Sequence, residues 1–223
     1  IDVFEVEPAK ENPLFGLSNV ICTPHLGAST SEAQENVALQ IAEQMADFLL
    51  QGAISNAVNF PSITAEEAPR LRPFVKLAEQ LGSFAGQLTE TAPSLIRLEY
   101  AGDVAEMNTR ALSSAAISGV LRPFLHVNMV SGPAVAKERG IKVEEVRRGQ
   151  EGAYESYMRV SVKTEKQERA VAGTVFSDGK PRIIQINKMP DDAEFSPNLL
   201  YTENDDIPGY IGALGTLLGN ESV

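Results

Sequence analysis

The apolar positions of this 223-residue chain change period several times along its length, and each period predicts an element. Residues 1–4 are apolar enough for a buried strand, and a mostly polar loop with Pro8 and Pro13 follows. A second short strand is expected over 19–23, ended by Pro24, which has no N–H to give a ladder. Ser29, Thr30, Ser31 and Glu32 then read as a capping box, a hydroxyl at the N-cap and a carboxylate three residues on. Val37, Ile41, Met45 and Phe48 recur at i, i+4, i+8 and i+11, the buried face of a helix about five turns long that stops at Gly52.

The period resumes beyond a linker at 59–64. A helix begins near Pro69, with Phe74, Leu77, Leu81 and Phe84 on its buried side. Residues 95–100 alternate as a strand. A helix is expected at 109–122 before Pro123, and a short one at 132–139 before Gly140. Strands are predicted at 141–147, 155–163, 169–176 and 181–187, the last two joined by a hairpin turn at Ser177, Asp178, Gly179 and Lys180. The acidic stretch Asp191, Asp192, Ala193, Glu194 marks a second boundary. After it, 199–202 is a candidate strand and 211–218 begins a helix. Three segments are expected, 1–58, 59–196 and 197–223. Both ends read as cuts through folded units, so the chain is expected to be a piece of a longer protein.

Composition narrows the partners. The net charge of -11 argues against non-specific nucleic-acid binding, which needs clustered Lys and Arg. No apolar run reaches the length of a membrane span, and no signal peptide opens the chain. Cys22 is the only cysteine, so no internal disulfide forms, and a cytoplasmic setting is expected.

There are two histidines. His25 lies after a predicted strand and before a capped helix, where open α/β sheets place ligands. A histidine there is suited to acid–base work, or is a surface histidine near a helix start. His126, between Leu125 and Val127, reads as structural. Glu5 and Glu7 precede Pro8. Either could pair with a histidine, and both could be solvated loop charges. Asp2 stands at a possible strand end. No two glycines are two residues apart, so the chain holds no G-x-G phosphate loop. Zinc-ligand spacing is missing too. Gly209, Gly212 and Gly215 suggest close packing of a helix, and Lys180 with Arg182 a solvated turn.

The run Asp2-Val3-Phe4-Glu5-Val6-Glu7-Pro8, followed by Thr23-Pro24-His25-Leu26-Gly27-Ala28-Ser29-Thr30 and Glu32-Ala33-Gln34, resembles the end of the catalytic core of D-2-hydroxyacid dehydrogenases. The Leu-Gly-Ala-Ser-Thr version and Val58-Asn59-Phe60-Pro61 resemble the long-form D-3-phosphoglycerate dehydrogenases within that family. Asn128-Met129-Val130, Ala136-Lys137-Glu138-Arg139-Gly140-Ile141 and Val171-Ala172-Gly173-Thr174-Val175-Phe176 with Pro181-Arg182 resemble their intervening domain. Asn204-Asp205-Asp206-Ile207-Pro208-Gly209 with Ile211-Gly212 and Gly215 resembles the start of an ACT domain.

The resemblance implies a mixed α/β and α+β fold. It would comprise the tail of a doubly wound nucleotide-binding domain, an α+β intervening (allosteric substrate-binding) domain, and the start of a ferredoxin-like ACT domain. It implies that His25 is the catalytic acid–base and Glu7 its carboxylate partner. Asp2, His25, Leu26, Gly27 and Ala28 would face NAD, and Asp206 matches a serine-effector position. The parent activity would be NAD-dependent oxidation of 3-phosphoglycerate to 3-phosphohydroxypyruvate in L-serine biosynthesis, by a homo-oligomer. The family's substrate-anchoring arginine and glycine-rich loop have no match here, so these residues alone are expected to be inactive. The alternative expectation is a regulatory or oligomerisation module that binds serine or an anionic metabolite. The acidic residues 191–194 fall where relatives are more basic.

Overall fold

The computed structural model describes residues 1–150, 154–205 and 207–221. It divides into two compact units, Ile1–Ala193 and Glu194–Val223.

The first unit is built on a six-stranded sheet. Its strands are β1 (Leu95–Gly102), β2 (Lys142–Arg148), β3 (Ser156–Lys163), β4 (Glu168–Val175), β5 (Pro181–Ile186) and β6 (Met189–Glu194), in the order β2-β1-β3-β4-β5-β6. β1 and β2 are parallel, and β3, β4 and β5 continue antiparallel from β1. The parallel pair requires a crossover, which α3 (Thr109–Leu121) and α4 (Gly132–Glu138) supply. Alternation along β1 puts Ile96, Leu98 and Tyr100 on the fully buried face. The register aligns them with Val162, Val160 and Met158 of β3, so one continuous apolar layer forms.

That layer is covered by α2 (Ala68–Gln87). Leu77 and Leu81 of α2 are fully buried, while Phe74 and Phe84 are half-buried. Gly173 of β4 explains how closely the helix lies: a Cβ there would meet Leu77 Cδ1 at 2.8 Å and Leu81 Cδ2 at 3.1 Å. Gly82 of α2 plays the same part against α3, where a Cβ would run into the carbonyl of Ala116. Before α2, Thr64 and Glu67 bond reciprocally: the Glu67 carboxylate accepts from Thr64 N–H, and the Thr64 hydroxyl accepts from Glu67 N–H.

Several expectations are corrected. The predicted helix after residue 30 is present as α1 (Ser31–Gln51), ended by Gly52 at φ 75. Its N-cap is Thr30, one residue beyond Ser29, because Thr30 Oγ1 accepts from Ala33 N at 3.1 Å. Its apolar face is not buried: Val37 and Ile41 are 50% exposed, Phe48 54% and Met45 58%. No described element packs closely along that stripe. Residues 1–4 and 19–23 are not strands. They share one bridge of backbone bonds, Ile1 N to Ile21 O at 2.7 Å and Thr23 N to Ile1 O at 3.0 Å, in parallel sense. The ladder stops there because Phe4 N–H turns to a side chain instead. The acidic stretch 191–194 forms most of edge strand β6, and the division between the two units falls within it, between Ala193 and Glu194.

In the second unit, α5 (Tyr210–Asn220) begins after Gly209 at φ 92. Residues 199–202 form no strand, having no ladder partner among the described residues. A Cβ at Gly212 or Gly215 would meet nothing within 4 Å, so the expected close packing of that face is not seen among the described residues.

Candidate active site

Two short segments, 1–8 and 22–28, hold the candidate chemistry. The Ile1–Ile21 and Thr23–Ile1 backbone bonds bring them side by side. Pro24 then ends any further pairing, and His25 takes a left-handed φ of 58. Such a backbone is uncommon for a side-chain-bearing residue and costs about 1–3 kcal/mol, so its surroundings must hold it.

Two carboxylates do so. Asp2 Oδ1 accepts from Thr23 Oγ1 at 2.6 Å and from Leu26 N at 2.6 Å, and Asp2 Oδ2 accepts from Gly27 N at 2.7 Å. One carboxylate thus ties both ends of the His25 turn. Gly27 suits this closeness, since a Cβ would stand 3.0 Å from Asp2 Oδ2. Glu7 Oε2 lies 2.6 Å from His25 Nδ1, while Glu7 Oε1 accepts from Phe4 N at 2.9 Å. Phe4 is itself steadied by an edge-to-face contact with Phe15, centroids 5.4 Å apart.

The electrostatics follow from these bonds. The hydrogen bond to Glu7, then the charge of Glu7, raises the His25 pKa above 6.5. The same bond with His25, followed by the Phe4 N–H, holds Glu7 below 4.5. The Thr23 hydroxyl, then the Leu26 N–H, holds Asp2 below its usual 3.8. With Nδ1 committed to Glu7, the imidazole is left with Nε2 as the nitrogen that takes or releases a proton. His25 and Glu7 side chains are 55% and 32% exposed, so the pair is open to solvent and to small molecules. A cleft of about 770 Å³ runs beside it, lined by Phe4, Phe15, Val20 and Cys22 among others.

The sequence-predicted residues separate cleanly. Asp2, Glu7, His25, Leu26 and Gly27 come together within hydrogen-bonding reach, and Ala28 follows on the same exposed turn. Glu5 and the exposed His126 stay outside the cluster. Asp206 lies outside the described residues. Arg182 is not a solvated turn residue, since it stacks over Phe176 at 4.8 Å and approaches Asp192 at 3.7 Å. Thr23 was missed as a site residue. The signal was available: a hydroxyl two residues before His25, opposite a short acid. Among the described residues no cluster of His, Cys, Asp and Glu could hold a metal ion, and no helix is long and apolar enough to cross a membrane.

A one-sided α+β sheet domain preceded by a carboxylate-clamped histidine turn is the class that fold and site define together. A family model described as the D-3-phosphoglycerate dehydrogenase intervening domain matches residues 70–187, more than half of the chain, and the chain belongs to that family. It is also similar over its whole length to proteins named D-3-phosphoglycerate dehydrogenase. These include one from Synechocystis sp. at 40% identity, one from Bacillus subtilis at 35% and one from Methanocaldococcus jannaschii at 34%. The chain covers 41% of the first of these relatives and 43% of the other two.

Proposed function

We propose that this chain carries the acid–base half of the active site of an NAD-dependent dehydrogenase that oxidises 3-phosphoglycerate to 3-phosphohydroxypyruvate, feeding L-serine synthesis in a reducing cytoplasm. The observation that carries the proposal is the 2.6 Å pair between Glu7 and the strained His25, in a chain whose relatives are D-3-phosphoglycerate dehydrogenases.

Oxidation of a secondary alcohol removes a proton from oxygen and a hydride from carbon. Neutral His25 Nε2 accepts the hydroxyl proton of the substrate's C2 carbon. Glu7 holds Nδ1–H and stabilises the imidazolium as it forms. In the reverse direction the imidazolium returns that proton to the carbonyl oxygen. NAD, when bound, accepts the hydride. Leu26, Gly27 and Ala28 are an exposed turn with small or absent side chains at two of three positions, which fits a flat nicotinamide ring. Asp2 already takes three protein donors, so its first task is to hold the turn, with the remaining Oδ2 lone pair open to a carboxamide. The chain contains no glycine-rich phosphate loop, so residues 1–223 by themselves turn over no substrate.

In the longer dehydrogenase, His25→Ala lowers turnover by about 10²–10⁴-fold, the usual worth of a positioned acid–base group, with NAD affinity within a few-fold of wild type. Turnover near that of wild type rejects the proposal. A second reading rests on the match of residues 70–187 to an intervening domain: the chain is a regulatory or assembly module that binds serine or an anionic metabolite such as 3-phosphoglycerate. Calorimetry of the chain with each ligand tests it, and absence of heat with both rejects it.

A further inference from the structure

We infer that the outer edge of β2 is a pairing edge for a second copy of this chain, in antiparallel register about a two-fold axis at Val146. The direction of the backbone comes first. Lys142 N donates to Ser94 O at 3.0 Å, so the backbone groups of Lys142 face β1. Successive residues of a strand turn these groups to opposite edges, so those of Val143, Glu145 and Arg147 face outward. β2 ends the sheet, and among the described residues no strand pairs with that side. Val143 is 37% exposed, and Glu145 and Arg147 are exposed.

The two edges of the sheet differ in chemistry. The other edge, β6, carries Pro190, Asp191, Asp192 and Glu194. A proline and a run of one sign oppose pairing with a like strand. β2 reads Lys142, Val143, Glu144, Glu145, Val146, Arg147, Arg148, with both signs and no proline.

Two-fold pairing brings outward groups to outward groups, so the axis must pass through a residue, not between two. An axis at Glu144 or Glu145 sets that glutamate opposite its own copy, and the one at Glu145 also sets Lys142 opposite Arg148. An axis at Val143 overlaps only residues 142–144 of the strand before Gly140 turns the chain at φ 71. The axis at Val146 is different. It sets Val146 opposite itself, Glu145 opposite Arg147 of the second copy and Glu144 opposite Arg148 of the second copy. Each of these charge pairs occurs twice. Glu145 and Arg147 are also the outward-facing residues, so they exchange the backbone hydrogen bonds. Their side chains are already placed: Ser113 Oγ donates to Glu145 Oε1 at 2.5 Å, and Arg147 Nη2 donates to Thr109 Oγ1 at 2.5 Å. Ser113 uses one Glu145 oxygen and leaves the other for the facing arginine.

The test is sedimentation velocity of the full chain over a concentration series, with circular dichroism to verify folding. Wild type shows a concentration-dependent dimerisation step. Glu145→Arg and Arg147→Glu each place like charges opposite one another and lose that step. Mixing the two single variants restores it, because a chain with two arginines at these positions meets a chain with two glutamates. The double variant Glu145→Arg/Arg147→Glu restores opposite pairs within one chain and associates like wild type. Four results overturn the inference: a monomeric wild type; single variants that associate as wild type does; a folded double variant that stays monomeric; or open-ended polymers, which would mean β2 meeting β6.

Discussion

The sheet with α2 and α3, and the turn around His25, are held by opposite means. In the first, Ile96, Leu98, Tyr100, Leu77 and Leu81 are fully buried, and glycines at 82 and 173 let helix and strand backbones come close. In the second, most residues are exposed, and charge-assisted hydrogen bonds accepted by Asp2 and Glu7 maintain a left-handed backbone at His25. Apolar burial is non-directional and supplies stability in proportion to area. Hydrogen bonds to a carboxylate are directional and supply geometry. The chain keeps its stability in one region and its candidate chemistry in the other, so the two can be disturbed separately.

The largest disturbance should come from the core. Leu77→Ala should cost about 2–5 kcal/mol in urea unfolding, the range for a leucine truncated without collapse of the cavity. The His25 imidazole resonances should stay where they are. Gly82→Ala comes next. Its new methyl meets the Ala116 carbonyl, so α2 and α3 must move apart, at about 1–3 kcal/mol by the same measurement. Thr30→Ala should remove the α1 cap at about 1 kcal/mol of local stability, read as faster amide exchange in the first turn with the sheet amides unchanged. A uniform loss of protection across the sheet would break the separation.

The smallest effect on stability, and the sharpest on chemistry, is Glu7→Gln. Unfolding should barely change, because both partners are exposed. The His25 pKa, read by NMR titration, should fall toward 6.5. The pH dependence of the wild-type pair has a definite sign. Through His25, whose pKa is raised, its contribution is complete below pH 6.5 and is lost as pH rises through the folded value. Through Glu7, whose pKa is lowered, it is complete above pH 4.5 and is lost as pH falls through the folded value. The pair is therefore strongest between those limits.

How much of this was legible in sequence follows the same division. The strands β1, β3, β4 and β5 and the helices α2, α3 and α4 could be read because burial imposes a period, and Pro123, Gly140 and Gly179 punctuate it. The period of α1 fixes a helix but not its burial. A stripe such as Val37, Ile41, Met45 and Phe48 announces a need for a partner without supplying one. The N-cap slipped by one residue, since Ser29 and Thr30 offer equivalent hydroxyls and only the bond to Ala33 separates them. β6 was hidden by its acids, which suit an exposed edge as well as the boundary between units that also falls there. At the site, residue type and spacing left His25 and Glu7 as candidates only, and motif resemblance paired them. Asp2 as the clamp of Leu26 and Gly27 depends on a left-handed turn that no periodicity encodes.

In the proposed function Glu7 tunes His25 as a proton acceptor. The most direct measurement is the pH dependence of kcat/KM for 3-phosphoglycerate oxidation by the proposed longer dehydrogenase, in wild type and Glu7→Gln. A rising limb set by His25 should move to lower pH in Glu7→Gln, with a reduced plateau. A limb that stays in place while the plateau is unchanged would contradict that tuning.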